Sequence, residues 1–130
     1  MNVGYPNFMA VSSFQDLPLA DRDRRWDGDA AEKRVRKFTG AEDAPNAKYR
    51  SVHLWYDADH KDNFTAHRLL IADVVNDRLV AVPRGVMAAA GIMQGGRGGI
   101  DGVSAREATR IKNHLAKYYK KMDETPPWED

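Results

Sequence analysis

The residues whose type and spacing come closest to a known chemistry are the glycines between Gly95 and Gly102, which number five in eight positions. Consecutive backbone N–H groups and a following helix N-terminus attract phosphate. A dinucleotide site needs a strand, then G-x-G-x-x-G, then a helix, and a Walker loop needs Gly-Lys followed by Ser or Thr. Here a helix-forming run precedes the glycines, Asp101 stands among them, and the lysine is missing. We therefore expect a connection between two helices or a contact loop between subunits.

A set of aspartates resembles the opening of a calcium-binding loop. Asp57, Asp59 and Asp62 supply the carboxylates that hard cations prefer. The EF-hand pattern fails at its fifth position, which is Lys61, and at its twelfth, which is Arg68. The sequence therefore predicts a solvated turn here.

Three histidines recur at a regular interval. His53, His60 and His67 are seven residues apart, and three imidazoles can bind zinc. A predicted strand carries His53 and a predicted turn carries His60, so the interval does not place them on one helical face. Because no H-x-x-x-H or H-E-x-x-H pair occurs, we expect ordinary surface or half-buried histidines and no metal site.

Signals for catalysis are weak. No serine lies in a G-x-S-x-G turn, and the chain has no cysteine. The acid in the most apolar setting is Asp73, which interrupts the run over residues 69–75. We interpret Asp73 as the outward residue of a half-buried strand or as the partner of an arginine. The sequence thus predicts neither an enzyme nor a cofactor.

Length and composition narrow the class of protein further. The chain has 130 residues, 42% of them hydrophobic and 30% charged, which suits one domain with one core. Its formal charge of +1 is far from the basic excess of a dedicated nucleic-acid-binding protein. No apolar run approaches the roughly 20 residues of a membrane span, and the first residues lack the plan of a signal peptide. We expect synthesis in the cytoplasm and no membrane contact.

The elements that position these residues begin with a helix and a strand. Asp27 or Asp29 could cap a helix over residues 30–38, which Gly40 would end. The alternation of apolar and polar residues over positions 51–56 predicts a strand.

A hairpin follows. Apolar runs over residues 69–75 and 78–82 flank Asn76 and Asp77, which tolerate the left-handed conformations of a tight turn. We therefore expect a small antiparallel sheet of about three strands with this hairpin at its centre.

Two further helices are expected in the second half of the chain. Residues 85–93 are almost wholly apolar, and Ser104 with Glu107 forms a capping box for a helix that runs to about Met122. With the sheet, this predicts an α+β fold in which two to three helices pack on a small antiparallel sheet.

Both ends of the chain are predicted to be extended. Residues 1–20 are apolar with a single charge, and Pro6 and Pro18 oppose a helix. This N-terminal arm could cover its own domain as an edge strand or reach a neighbouring subunit. The expected boundaries are an arm over residues 1–20, a compact domain over residues 21–122 and a C-terminal tail over residues 123–130.

The last predicted helix is strongly basic. Between Arg106 and Lys121 there are six lysines and arginines and one acid, Glu107, and four acids follow by Asp130. A basic helix beside an acidic tail suits docking on another protein surface through complementary fields. Contact with phosphates, or a merely solvated helix face, are the alternatives.

Four blocks of the sequence form a recognisable combination. They are Asp21 to Gly28 with Arg34 to Arg36, Leu70 to Val74, Ala81 to Arg84, and His114 to Met122 with Pro126 to Trp128. Together they resemble a small domain found in tailed-phage and prophage head-gene clusters, alone or beside prohead protease sequences. The resemblance spans residues 16 to 128, and the apolar leader and the glycine-rich segment depart from it.

The resemblance implies a structural component of the virion. We expect a capsid decoration or cement protein that binds the major capsid protein, stabilises the phage head and forms a homo-oligomer on the particle. The expected core tryptophans are Trp26 and Trp55. The expected partner contacts are Tyr5, Phe8, Met9 and Phe14 in the arm, Arg110, Lys117 and Lys121 on the basic helix, and Trp128 in the tail.

Two other functions stay open. The basic helix could serve a nucleic-acid-binding packaging accessory, although the small net charge does not favour nucleic acid. The chain could also be a head-assembly or protease-associated factor that is absent from the finished particle.

Overall fold

A computed structural model of the protein describes residues 10–94 and 100–129, and these residues form an α+β fold, as predicted. The helices are α1 (Gly28–Thr39), α2 (Ala47–Ser51), α3 (Pro83–Gln94) and α4 (Ala105–Lys121), and the strands are β1 (His53–Tyr56), β2 (His67–Leu70), β3 (Ala72–Val75) and β4 (Arg78–Ala81). None of the helices in these residues combines the length and the apolar character that crossing a membrane requires.

Helix α1 begins and ends where its flanking residues predict. The Asp27 carboxylate accepts a hydrogen bond of 3.1 Å from the Ala30 N–H, which satisfies an amide of the first turn. Asp27, and not Asp29, is therefore the cap. Gly40 ends the helix in the left-handed region, with φ of 74°. The buried Val35 packs in an apolar cluster against β3.

Strands β3 and β4 form the predicted hairpin. They pair antiparallel, with Val75 opposite Arg78. The turn residues Asn76 and Asp77 have φ of 53° and 62°, the left-handed pair that a type I′ turn requires.

The apolar run predicted as one strand over residues 69–75 is divided between two sheets. Leu69 and Leu70 end β2, which pairs antiparallel with β1, and the second sheet begins at Ala72. Inside β2, one residue before its end, Leu69 has φ of 64°, a left-handed conformation that a residue with a branched side chain rarely adopts and that distorts the strand before the chain passes to the second sheet. The described residues therefore form two sheets of two strands each instead of one sheet of about three.

The second half of the N-terminal arm lies along its own domain. Val11 forms an isolated antiparallel bridge with Trp55, and Leu19 forms a parallel bridge with Ala81. For this part of the arm the contact is within the chain. Residues 1–9 lie outside the described part of the structure.

Helix α4 has the predicted cap, and one apolar face of the helix is buried. Ser104 and Glu107 make both hydrogen bonds of the capping box. Ile111, Leu115 and Tyr118 are fully buried in the main core, which lies between α4, α3 and β1. Of the glycine-rich connection before α4, residues 95–99 lie outside the described part.

The two tryptophans expected in the core differ in burial. Trp55 is buried, whereas Trp26 is half-buried and lies against the backbone of Gly85 in α3. A Cβ atom at position 85 would stand 2.9 Å from an indole carbon of Trp26. The close approach of Trp26 to α3 therefore requires glycine at this position.

Gly85→Ala is expected to lower the free energy of unfolding by about 1 to 2 kcal/mol, because the new methyl group must displace the indole. Gly91→Ala on the same helix is the matched control, since a Cβ there meets nothing within 4 Å. The control is expected to raise stability by about 0.5 to 1 kcal/mol, the helix propensity of alanine over glycine. Urea titration of both variants measures the difference, and equal shifts would contradict the role given to Trp26.

Candidate functional site

Helix α4 exposes a row of cationic side chains. Arg106, Arg110, Lys117 and Lys120 are all exposed, at spacings that keep them on one helical face. Glu107, the single acid of the helix, is buried in the capping box. We term these four cations the basic stripe, and no carboxylate of α4 interrupts it.

Three of the predicted contact residues meet beside this stripe. Phe14 packs against His114, with ring centroids 5.9 Å apart, and the Lys117 ammonium lies 4.6 Å from the centroid of the Phe14 ring. Lys121 donates a hydrogen bond of 2.7 Å to Asp16. Phe14, Lys117 and Lys121 therefore all contact their own domain, although both lysines are exposed. Their contact with a partner stays a prediction.

A groove of about 480 Å³ lies beside the basic stripe, between residues 11–15, α2 and α4. Arg50 reaches it from α2 and Arg110 from α4, and Ser13 and Tyr56 also line it. No acidic residue does so among the residues that the structure describes. We term it the basic groove. Two guanidinium groups without a carboxylate form a site suited to an anion.

The charge of this face acts on His114. Burial lowers the pKa of His114, and the nearby charges of Lys117 and Arg110 lower that pKa further. The imidazole is therefore neutral at neutral pH. The positive charge of the face comes from its lysines and arginines alone.

The segment that follows α4 is acidic. Asp123, Glu124 and Glu129 are exposed, and with Lys120 they line a second groove of about 310 Å³. Glu124 accepts a hydrogen bond of 2.8 Å from Arg22. The other two acids form no ion pair with any residue that the structure describes. We term these three acids the acidic end.

The C-terminal tail lies against its own domain. Pro126 is buried, and the side-chain amide of Gln94 donates to the carbonyl of Pro127 at 3.1 Å. Trp128, a predicted partner contact, is half-buried, with its ring centroid 6.3 Å from that of Tyr119. Its contact with a partner also stays a prediction. The remaining predicted contacts lie outside the described residues: Tyr5, Phe8 and Met9.

Asp73 pairs with arginine, one of the two arrangements predicted for it. Its side chain is 3% exposed and accepts hydrogen bonds from Arg34 at 2.8 and 2.9 Å and from Arg24 at 3.0 Å. Burial alone would raise the pKa of Asp73, but the hydrogen bonds from Arg34, Arg24 and the Val74 N–H lower it. A cleft of about 1010 Å³ beside this cluster is lined by arginines and aspartates together. The mixed charge does not favour an anion or a cation.

The regular histidine interval does not create one site. His53 and His67 lie in a buried cluster with Tyr49, with their ring centroids 5.6 Å apart. His60 is exposed on the following turn and bonds to Asp57 at 2.9 Å. In residues 10–94 and 100–129, no three His, Asp or Glu side chains are placed to bind a metal ion.

An exposed apolar face on α3 has no counterpart in the sequence-based predictions. Met87 and Ile92 are 38% and 46% exposed, and Ala88 and Gly91 are exposed between them. Because α3 is apolar on nearly every side, its sequence has no periodicity that would reveal which face is exposed.

The basic stripe, the basic groove and the acidic end are thus the charged surfaces with which this chain could bind a partner. No model of a protein family, no curated protein and no solved structure matches the chain.

Proposed function

We propose that this chain is a structural protein of a tailed-phage head that binds the major capsid protein through its basic stripe. In this role it decorates and stabilises the shell as a cement protein, is located in the virion and is present in several copies on each particle. Its function is contact with neighbouring proteins and does not involve catalysis.

The observation that carries the proposal is the basic stripe itself. Arg110, Lys117 and Lys120 project from a helix whose opposite face is fixed in the core by Ile111 and Leu115. The cations therefore have a fixed spacing and are exposed before a partner arrives. Such a surface favours an acidic protein surface by fast, electrostatically steered association.

The sequence blocks that resemble a head-gene domain also support the proposal. Several of their residues contact one another and build the fold. Arg24 and Arg34 of the first block bond to Asp73 of the second, and Trp26 of the first lies against Gly85, directly after the third. These residues stabilise the domain. The exposed lysines that could contact a capsid lie in the fourth block, on α4.

Charge reversal within the stripe tests the proposal. In Lys117→Glu/Lys120→Glu, attraction to an acidic shell becomes repulsion, and we expect the amount of the chain on purified phage heads to fall by about tenfold or more. Heads are assembled in cells that express the head genes, and the chain is quantified against the major capsid protein by gel densitometry.

The matched control is Lys33→Glu/Lys37→Glu, which makes the same change of charge on two exposed lysines of α1. We expect this control to occupy heads as the wild type does. Equal losses in the two variants, or a wild-type chain absent from finished heads, would overturn the proposal. The second result would favour an assembly or protease-associated factor.

A packaging accessory that binds nucleic acid is the second candidate, and the uninterrupted cations of the stripe favour it. Phosphate contacts release counterions, so the affinity for a DNA duplex would fall steeply with salt concentration. Fluorescence anisotropy at several salt concentrations measures this slope. Weak binding to DNA with head binding that persists at moderate salt supports the cement protein.

A further inference from the structure

The chain carries two charged surfaces of opposite sign that complement each other. The basic groove contains Arg50 and Arg110 without an acid, and the acidic end presents Asp123 and Glu129 without an ion-pair partner among the described residues. We propose that copies of this chain bind one another head to tail, with the acidic end of one copy on the basic groove of the next.

The basic groove has unused capacity for carboxylates. Arg110 makes no hydrogen bond or ion pair with any residue that the structure describes. Arg50 makes one long bond of 3.4 Å, to the carbonyl of Lys61, which leaves most of its N–H donors available. A guanidinium group donates two parallel hydrogen bonds to a carboxylate, so this pair of arginines can bind two acidic side chains.

The acidic end is fixed in position before it meets a partner. The Asp123 N–H donates to the carbonyl of Lys120 at 3.0 Å, and the Glu129 N–H donates to that of Pro126 at 3.0 Å. Pro126 is buried, and Trp128 packs on α4. Because these contacts already order the tail, its docking on another copy costs little conformational entropy.

Within one chain the two surfaces are separate, because no residue lines both grooves. Arg110 and Asp123 are separated along α4 by about 20 Å, given a rise of about 1.5 Å per residue. Contact between them therefore requires two copies. The contact joins two different surfaces, so each copy keeps one free basic groove and one free acidic end, and further copies can add to form a ring or a chain.

The acidic end also favours a second copy over nucleic acid as the occupant of the groove. A phosphate backbone laid along α4 from Arg110 would pass Lys117 and Lys120 but would then approach Asp123 and Glu124, whose charges repel it. A second copy would place its acids on the two arginines. The complementary partner is thus present in the chain itself.

The experiment uses two neutralised variants and measures mass by analytical ultracentrifugation at low salt. Arg50→Gln/Arg110→Gln removes the basic groove, and Asp123→Asn/Glu129→Gln removes the acidic end. Asn tolerates the left-handed φ of 58° at position 123. We expect the wild type to exceed the monomer mass of 14.6 kDa increasingly with concentration and each variant alone to stay monomeric.

A mixture of the two variants is the decisive sample. Only the acidic end of the first variant and the basic groove of the second are intact, so one contact can form. We expect a complex of twice the 14.6 kDa chain mass and nothing larger. Lys33→Gln/Lys37→Gln on α1 is the control and should associate as the wild type does.

Several results would overturn the head-to-tail contact. These are a wild type that stays monomeric at millimolar concentration, variants that associate as strongly as the wild type, and a mixture that stays monomeric while the wild type associates. Tight DNA binding by the acidic-end variant but not by the groove variant, with no self-association, would identify nucleic acid as the occupant. Because no phage head is present in these samples, the result is independent of the proposed capsid contact.

Discussion

Asp73→Asn is expected to lower the free energy of unfolding by about 2 to 3 kcal/mol, because it removes the negative charge that both Arg24 and Arg34 approach. Breaking a fully buried pair costs about 3 to 5 kcal/mol, and the value expected here is smaller because the two arginines are partly exposed. The midpoint and slope of urea unfolding give the measurement.

Asp77→Asn is the matched control for this prediction. Asp77 is exposed in the type I′ turn, where asparagine adopts the left-handed region as readily as aspartate. We expect a change within about 0.5 kcal/mol. If Asp73→Asn lowers stability as little as the control does, the Asp73 carboxylate does not fix α1 and the segment before it to β3.

The stability that Asp73 contributes also depends on pH. Its pKa is lower in the folded protein than in the unfolded chain. The contribution is therefore present above the unfolded pKa of about 4 and is lost as the pH falls through the folded value.

Acidification is also expected to destabilise the protein through His53, and this effect begins at a higher pH than the effect of Asp73. Its ring is 2% exposed, and Nδ1 donates a hydrogen bond of 2.8 Å to the carbonyl of Tyr49, which leaves Nε2 as the free position for a proton. Burial lowers the pKa of His53 to about 4, with a further lowering by the neighbouring His67, against the raising effects of the Tyr49 carbonyl and Glu32.

The sign follows from the order of protonation. The unfolded chain takes up the proton near the ordinary pKa of about 6.5, whereas the folded protein takes it up only near 4, so protonation between these values favours unfolding. We expect the titration of His53 to lower the free energy of unfolding by about 2 kcal/mol at pH 5. The full loss, reached when His53 is protonated in both states, is about 3 kcal/mol. Urea unfolding at several pH values between 7 and 5 measures this loss, to which the lowered pKa values of His67 and His114 add in the same direction.

His53→Asn isolates the effect of the titration. The asparagine amide can replace the Nδ1 donor to Tyr49 but takes up no proton, so the variant should lose stability less steeply between pH 7 and pH 5 even if it is weaker at pH 7. His60→Asn, on the exposed turn, is the control and should keep the wild-type slope. An unchanged slope in His53→Asn would show that another group causes the acid sensitivity.

Features set by near neighbours in the sequence could be predicted. Asp27 caps α1 within its own first turn, and Asn76 with Asp77 forces the hairpin turn. Helix α2 was not predicted, although it has a local signal: Asn46 caps it by accepting a hydrogen bond of 2.8 Å from the Tyr49 N–H.

Features set by packing could not be predicted. The pairing of Asp73 with an arginine was among the expected arrangements, but its choice of Arg24 and Arg34 depends on how α1 packs on β3. The basic groove joins Arg50 and Arg110, which are distant in the sequence and meet only because α4 packs beside β1. The sequence indicated that α4 is basic but not that α2 extends its positive surface.

The hydroxyl group of Tyr118 links the two ends of the domain. It donates to the carbonyl of Gln15 and accepts a hydrogen bond of 3.2 Å from the Leu17 N–H. During translation the N-terminal arm therefore emerges long before the helix on which it docks has been synthesised. Its apolar side chains stay uncovered throughout that interval, so this part of the core closes only after α4 has been made.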